Sequence, residues 1–265
     1  MSHKNKQKSN LNLAIGFIGL VFFIVIISFV FKVFWIVKES QFDGANKFNL
    51  AVYDSRGVGV ISFSPKEKSI SVLRFEDKNY NNLAASLQIP VDGYQVLTNK
   101  EFNYANISSG LFTSMFSDTG SREGMTFLDL FRLALFSRTV SSNSIYERKL
   151  LKQHSETKKS AILSLTFRDP SILTEGKSIE VVNATDVTGL GNRLTNLVSN
   201  MGGNVILVSS DENKKNSKII YFEDSGYTVK KLSDYLGFPL EKGESSGLAD
   251  VIIIIGQDSL SKLKF

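Results

Sequence analysis

The sequence contains no cysteine, two histidines, four prolines and one tryptophan in 265 residues. Without cysteine there can be no disulfide framework, no thiolate zinc or iron–sulfur site and no thiol nucleophile. His3 sits in a lysine-rich tail and His154 in the polar stretch Gln153-His154-Ser155-Glu156. Two imidazoles are too few for a histidine metal cluster, and His154, the one realistic base, reads as a surface residue. The excess of positive charge is confined: Lys4, Lys6, Lys8, Lys32 and Lys38, with no acid in the first 38 residues, account for the whole net +5. The remainder carries 26 basic and 26 acidic groups. Such a balance lacks the basic footprint that phosphate-backbone binding requires, so no nucleic-acid partner is expected. An apolar fraction of 42% excludes wholesale disorder.

What is present begins with one long apolar run. Leu13 to Phe31 is uncharged, with Ser28 as its only hydroxyl, and at about 1.5 Å per residue it spans roughly 28 Å, close to the hydrocarbon thickness of a bilayer. Lys32 can snorkel, and Val33 to Val37, including Trp35, extend the run to Lys38 with an aromatic suited to the interface. A cleavable signal would be shorter and followed by a small-x-small site, whereas this run ends in Phe, Trp, Ile, Val and Lys. A retained single span is therefore expected. Lys4, Lys6 and Lys8 before it predict a cytoplasmic N-terminus and extracytoplasmic domains.

Two α/β units are expected beyond the membrane. Ser40 to Lys47 is short and polar and reads as a tether. Asn49–Tyr53, Val58–Ser64 and Ser69–Phe75 have strand character, with Pro65-Lys66-Glu67-Lys68 as hairpin punctuation between the last two. Asn82 to Gln88 suggests a helical turn, and Gly93 to Leu97 a fourth strand. Thr126 with Asp129 resembles a capping box opening an apolar helix over 127–136, expected mainly in the core, with the membrane surface as the alternative. Ser142 is expected to cap a further helix through Gln153. In the second unit, Leu190, Leu194, Leu197, Val198 and Met201 form one helical stripe ended by Gly202-Gly203, and Val229, Leu232 and Leu236 another closed by Gly237. Strands are expected at Ile179–Val182, Val205–Val208, Ile219–Phe222 and Val251–Ile255, the last central. The order β-α-β-β-α-β suggests a ferredoxin-like arrangement with two helices on one face of a four-stranded sheet.

The segments Ile179 to Thr185, Val187 to Leu194 and Ala249 to Gly256 carry a strand ending in Asn with a small residue, a Gly-led helix and an aliphatic last strand. In these the C-terminal unit resembles the domain at the C-terminus of LytR-CpsA-Psr envelope proteins. Upstream, Asp54-Ser55-Arg56, the hairpin 61–73 and the segment Gln88 to Tyr94 are similar to parts of that family's catalytic domain. The resemblance implies a single-span protein whose aspartate turn, Arg-x-Asp segment and Pro-Arg-Asp segment bind the pyrophosphate of a lipid-linked glycopolymer with a divalent cation. Carried over, it makes Asp54, Arg56, Arg74 and Asp77 the catalytic candidates, with Asp54 and Asp77 as magnesium ligands. Arg148 is a loose candidate for the family's later arginine cluster. The departures are pronounced: no second aspartate lies between Arg56 and Val60, and Leu73-Arg74-Phe75-Glu76-Asp77 stands in place of Pro-Arg-Asp. Phosphoryl transfer depends on positioning and charge neutralisation, so so sparse a set favours a form without activity.

Other constellations read as structure first. Gly57-Val58-Gly59 and Gly189-Leu190-Gly191 complete neither GxGxxG nor a Walker pattern and are expected to serve turns. Phe102, Tyr104, Phe112 and Phe116 are expected in the core, with a lipid- or glycan-facing groove as the alternative. The expected organisation is a cytoplasmic tail (1–10), a transmembrane helix (11–38), a tether (39–47), an α/β domain (48–159), a linker (160–177) and the C-terminal domain (178–265). The leading expectation is a non-catalytic envelope protein, without a cofactor, that uses Asn183, Thr185, Thr188, Gly189 and Gly191 and the sheet face beside them to bind cell-wall polymer or an envelope protein. The alternatives are a magnesium-dependent glycopolymer phosphotransferase and a structural spacer.

Overall fold

Helix α1 (His3–Glu39) opens the chain in a computed structural model that describes residues 3–75, 83–116, 121–244 and 247–260. Its 25-residue stretch from Ile15 to Glu39 is long and apolar enough to cross a membrane, and none of it is buried against the protein. At about 1.5 Å per residue that is roughly 37 Å, more than a bilayer core requires.

The first domain is built on a six-stranded sheet in the order β5-β4-β1-β2-β3-β6. Its strands are β1 (Phe48–Asp54), β2 (Gly57–Ser64), β3 (Ser69–Phe75), β4 (Gly93–Val96), β5 (Arg122–Glu123) and β6 (Ile145–Leu150). β1, β2 and β3 form an antiparallel meander; β4 runs parallel to β1, and β6 parallel to β3. Successive side chains of a strand point to opposite faces, which divides the meander's apolar side chains between two cores. Leu50, Val52, Ile61, Phe63, Ile70 and Val72 pack against α3 (Ile107–Met115) and α4 (Phe127–Thr139). Ala51, Val58, Val60 and Leu73 pack on the other face against α2 (Leu83–Leu87) and α5 (Glu156–Phe167). Helices thus cover both faces.

The reading of 142–153 as a helix is corrected. Ser142–Ser144 is a single 3-10 turn and Ile145–Leu150 is strand β6, paired with β3 from Ile70↔Ile145 to Phe75↔Leu150. Only Leu150 of this strand is buried. A sparse apolar pattern could satisfy either period, and the open edge of β3 supplied a backbone partner that an isolated helix lacked. Lys159, expected near the domain's end, lies inside α5, and much of 160–177 is helical, through α5 and α6 (Pro170–Glu175).

The second domain contains β7 (Ser178–Asn183), α7 (Leu190–Asn200), β8 (Asn204–Ser210), β9 (Lys218–Tyr221), α8 (Gly226–Leu236), β10 (Leu240–Lys242) and β11 (Val251–Ile255). Both helical stripes are buried as expected, in one core with Ile179, Val181, Ile219, Val251, Ile253 and Ile255. The mixed α/β class holds, but the strand order β10-β9-β11-β7-β8 is not that of a split βαβ. β7 and β8, joined by α7, are parallel neighbours with no strand between them, and the short β10 makes the sheet five-stranded. β11 is central as expected. The face bearing Val182, Ile220, Ile252 and Ile254 forms a small cluster to which no described helix contributes.

The two domains grip one another through the segment 85–92. Lys231 Nζ on α8 donates to Asp92 Oδ1 at 2.7 Å, while Asp92 Oδ2 accepts from the Asn49 backbone N–H at 2.8 Å. Burial alone would push Lys231 down, but the charge and hydrogen bond of Asp92 outweigh it and hold the ammonium above its ordinary value. The Val91 N–H donates to the Tyr235 hydroxyl at 3.1 Å, and Asn200 Nδ2 donates to the Gln88 carbonyl at 2.8 Å.

Entry from the membrane helix is equally defined. The segment expected as a tether holds buried Phe42 and Lys47. Ser40 Oγ and the Phe42 N–H both donate to Asp129 Oδ1, at 2.7 and 2.8 Å, and Arg132 donates to Ser40 Oγ and the Phe42 carbonyl. Lys47 Nζ donates to the Thr166 and Arg168 carbonyls, both at 3.0 Å, at the C-terminus of α5, where a cation opposes the helix dipole.

Candidate functional site

The β1–β2 turn places the first group of sequence-chosen residues. Asp54 Oδ1 accepts from the Arg56 and Gly57 N–H groups at 2.9 and 3.1 Å, closing the turn, and Oδ2 accepts from the Phe102 N–H at 2.9 Å. The side chain of Asp54 is 2% exposed. Arg56 Nη2 donates to the Phe102 carbonyl at 2.6 Å, and its guanidinium lies 3.3 Å from Glu101 and 3.8 Å from Asp54. On β3, Arg74 faces Glu147 of β6 at 3.6 Å.

Tyr104 stands between the two arginines. Its ring centroid is 6.0 Å from the Arg56 guanidinium carbon and 5.1 Å from that of Arg74. Burial pushes its phenol above the ordinary tyrosine range, and Asp54 adds to the shift. Gly59 makes this possible, because a Cβ there would lie 2.5 Å from the Tyr104 hydroxyl. Tyr104 and the two arginines line a cleft of about 380 Å³ with Glu101, Glu147, Phe102, Asn103 and Ala105. Sequence reasoning placed Tyr104 among aromatics and missed its position between the arginines; the glycine opposite it was the available signal.

Arg56 and Arg74 therefore line one cleft; Asp54 is buried 3.8 Å from Arg56 and is not part of that lining, and Asp77 lies outside the described residues. Each guanidinium already faces a carboxylate, and the Asp54 oxygens already take three backbone N–H donors. Among the described residues no group of three or more metal-ligating side chains gathers, and Asp54 by itself does not fit a magnesium ion held together with a diphosphate. Arg148 is distinct from this group: it stacks on Tyr146 and reaches toward Ser71.

The second candidate group lies at the C-terminal end of β7. Asn183 Oδ1 accepts from the Thr185 hydroxyl at 2.7 Å and its N–H at 3.2 Å, and Asn183 Nδ2 donates to the Val187 carbonyl at 2.9 Å. Asn183 is thus buried and spent on shaping the turn. Gly189 caps α7 with φ +84°, and Gly191 lies under β8, where a Cβ would meet Val208 at 3.3 Å. Thr188 and Gly189 are exposed at the turn, with Asp186 and Val187 beside them. Next to the turn, β8 forms the edge of its sheet, with Ile206, Leu207 and Val208 exposed.

A polar cavity of about 380 Å³ also opens between the domains, lined by Asp43, Lys47, Asp92, Lys230, Lys231 and Asp234 among others. Burial pushes the Lys47 ammonium down to about 8.

Residues 177–258 match the family described as LytR cell envelope-related transcriptional attenuator. The match covers the second domain, which is therefore a LytR-type C-terminal domain and supports the resemblance to LytR-CpsA-Psr proteins. No curated protein matches the chain by sequence. The crystal structure of the Lin1025 protein from Listeria innocua is similar at 11% identity, over 83% of this chain and 95% of that one, with a TM-score of 0.17, too low to support an argument.

Proposed function

We propose that this chain, anchored by α1 and carrying a LytR-type C-terminal domain, is an envelope protein that presents edge strand β8 to an envelope protein partner and transfers no glycopolymer. An apolar N-terminal helix and an envelope-type domain together fit a membrane-anchored envelope protein. The observation that carries the finer reading is β8 itself. Val205 to Val208 is an uncharged run on an open sheet edge, and such an edge can accept an extended strand through its unpaired backbone groups. Lys4, Lys6 and Lys8 before the span support an orientation with the N-terminus in the cytoplasm and both domains outside it.

The neutralised cleft supports the absence of transfer chemistry. With Arg56 and Arg74 facing the exposed Glu101 and Glu147, a pyrophosphate would compete with carboxylates of its own sign for both guanidinium groups. Cell-wall polymer is a second reading, favoured by the exposed Asp186 and Thr188, whose oxygens suit sugar hydroxyls.

A photo-crosslinker at Leu207 of the full chain in envelope membranes tests the proposal, with Lys149 on β6 as reference. A defined protein adduct at Leu207 and none at Lys149 is expected. Adducts to purified sacculi would shift the reading to polymer. Magnesium-dependent transfer from a polyprenyl-pyrophosphate glycan, abolished in Arg74→Ala, would replace it with the phosphotransferase.

A further inference from the structure

Helix α4 leaves an apolar face unused. Phe127, Phe131 and Leu135, at i, i+4 and i+8, are 43%, 38% and 42% exposed, while Leu130, Leu133 and Ala134 on the opposite side are fully buried. From α3 and its end, Phe116 meets Phe127 edge-on at 5.9 Å and Phe112 meets Phe131 at 5.9 Å. Phe116 is 77% exposed. Arg138 completes the ridge, its guanidinium 5.1 Å from the Phe112 ring. Isolated exposed apolar residues need no explanation, but paired aromatics in a continuous ridge mark a contact surface.

The position of the ridge says what it contacts. Glu39 ends the membrane helix, and the next residue, Ser40, is hydrogen-bonded to Asp129 and Arg132 of α4 itself. The same helix that carries the ridge thus holds the point where the chain leaves the bilayer. With 13 residues, α4 is only about 20 Å long, so no part of the ridge is far from that exit. An arginine laid over an aromatic ring, beside further exposed phenylalanines, suits the boundary between headgroups and acyl chains. Trp35 and Lys38, at 5.4 Å from ring centroid to ammonium, repeat that pairing at the end of α1.

We infer that the α3–α4 ridge docks into the surface of the bilayer that α1 crosses, giving the protein a second, non-spanning membrane contact. It rests on α1 spanning the membrane and is independent of any partner at β8. Docked in this way, the first domain is held at a fixed tilt by two attachments, the Ser40–Asp129 junction and the ridge.

The chain has no cysteine, so single cysteines can be introduced into the full protein and labelled with an environment-sensitive fluorophore. Phe131→Cys reports the ridge, Asn192→Cys on α7 a solvent reference and Val25→Cys the span. In vesicles of mixed neutral and anionic phospholipid with doxyl groups high on the acyl chains, the label at 131 is expected to be quenched several-fold more than that at 192. The label at 25 is quenched instead by doxyl groups placed deep. Equal quenching at 131 and 192, with 25 still quenched, overturns the docking. A label at 131 shielded from aqueous iodide but untouched by the lipid quencher assigns the ridge to a second protein surface and also overturns it. Loss of quenching at 25 overturns the span and the docking together. Leu135→Cys gives the same reading if the Phe131 variant does not fold.

Discussion

The two sheets of this protein end in opposite ways. In the first domain helices cover both faces, and outer strand β6 carries Glu147, Arg148 and Lys149. In the second, the described helices cover one face, and outer strand β8 offers Val-Ile-Leu-Val without a charge. Both are edge strands parallel to their neighbours, so backbone geometry does not distinguish them. Charge along an edge deters pairing with another chain, whereas an uncharged apolar edge invites it. The contrast between β6 and β8 is what places the proposed partner site on the second domain.

The severest way to break this contrast is to unseal the first domain from its own entry point. Asp129→Ala strands the Ser40 hydroxyl and the Phe42 and Thr126 N–H groups, which Asp129 now accepts at 2.6 to 2.8 Å. With the Phe42 N–H buried and the other two donors half-buried, at about 1–3 kcal/mol for a buried unpaired group and less for the others, a loss of about 3 kcal/mol is expected in urea unfolding of the full chain in detergent. A cost under about 1 kcal/mol would mean that the junction is looser than described.

The difference in covering sharpens next. Ile61 is fully buried in the first domain, whereas Ile252 on the helix-free face of the second is only half-buried. Ile61→Ala is expected to cost about 3 kcal/mol and Ile252→Ala about 1 kcal/mol. Equal losses in the same assay would show that Ile252 on the second sheet's helix-free face is covered as fully as Ile61.

Making the edges alike is a smaller change. Leu207→Lys is expected to lower partner crosslinking or binding about tenfold, roughly 1.4 kcal/mol, while stability moves by less than about 0.5 kcal/mol. Unchanged binding would remove β8 as the contact.

A pH titration probes the seam between the domains. Burial lowers Lys47 from 10.5 to about 8, so between those values the unfolded chain binds more protons than the folded one. Through this group stability rises with pH from about 8 toward 10.5, and the penalty for the buried charge is fully present below about 8. Above pH ~10, Tyr104, Tyr227 and Tyr235 act oppositely, since burial raises all three in the folded state. Urea midpoints between pH ~8 and ~10 should therefore rise more steeply in the natural chain than in Lys47→Met, and identical slopes would refute the shift.

Where local pattern and tertiary demand agreed, the sequence was readable. The β1–β3 meander follows three apolar runs punctuated by turn residues, α7 and α8 follow a helical stripe, and Thr126 and Asp129 do form the capping box. β6 was misread because its pattern is short and its strand identity comes from pairing with β3. The split βαβ was wrong in strand order because element order leaves spatial order open. Near the candidate cleft, Asp54, Arg56 and Arg74 were named through the family resemblance, but not the carboxylates opposite the arginines, since Glu101 and Glu147 arrive from distant segments. Asp129 was legible as a cap; its hold on Ser40, 89 residues earlier, was not.

The chain by itself determined the apolar first helix, the α/β class of both domains and most element boundaries, because these depend on periodicity, capping and length, which act over a few residues. The tertiary structure alone decided which strands became edges, which face of α4 remained bare and which carboxylate met each arginine. Those outcomes depend on surfaces brought together across a hundred residues, where burial and backbone pairing override any local preference.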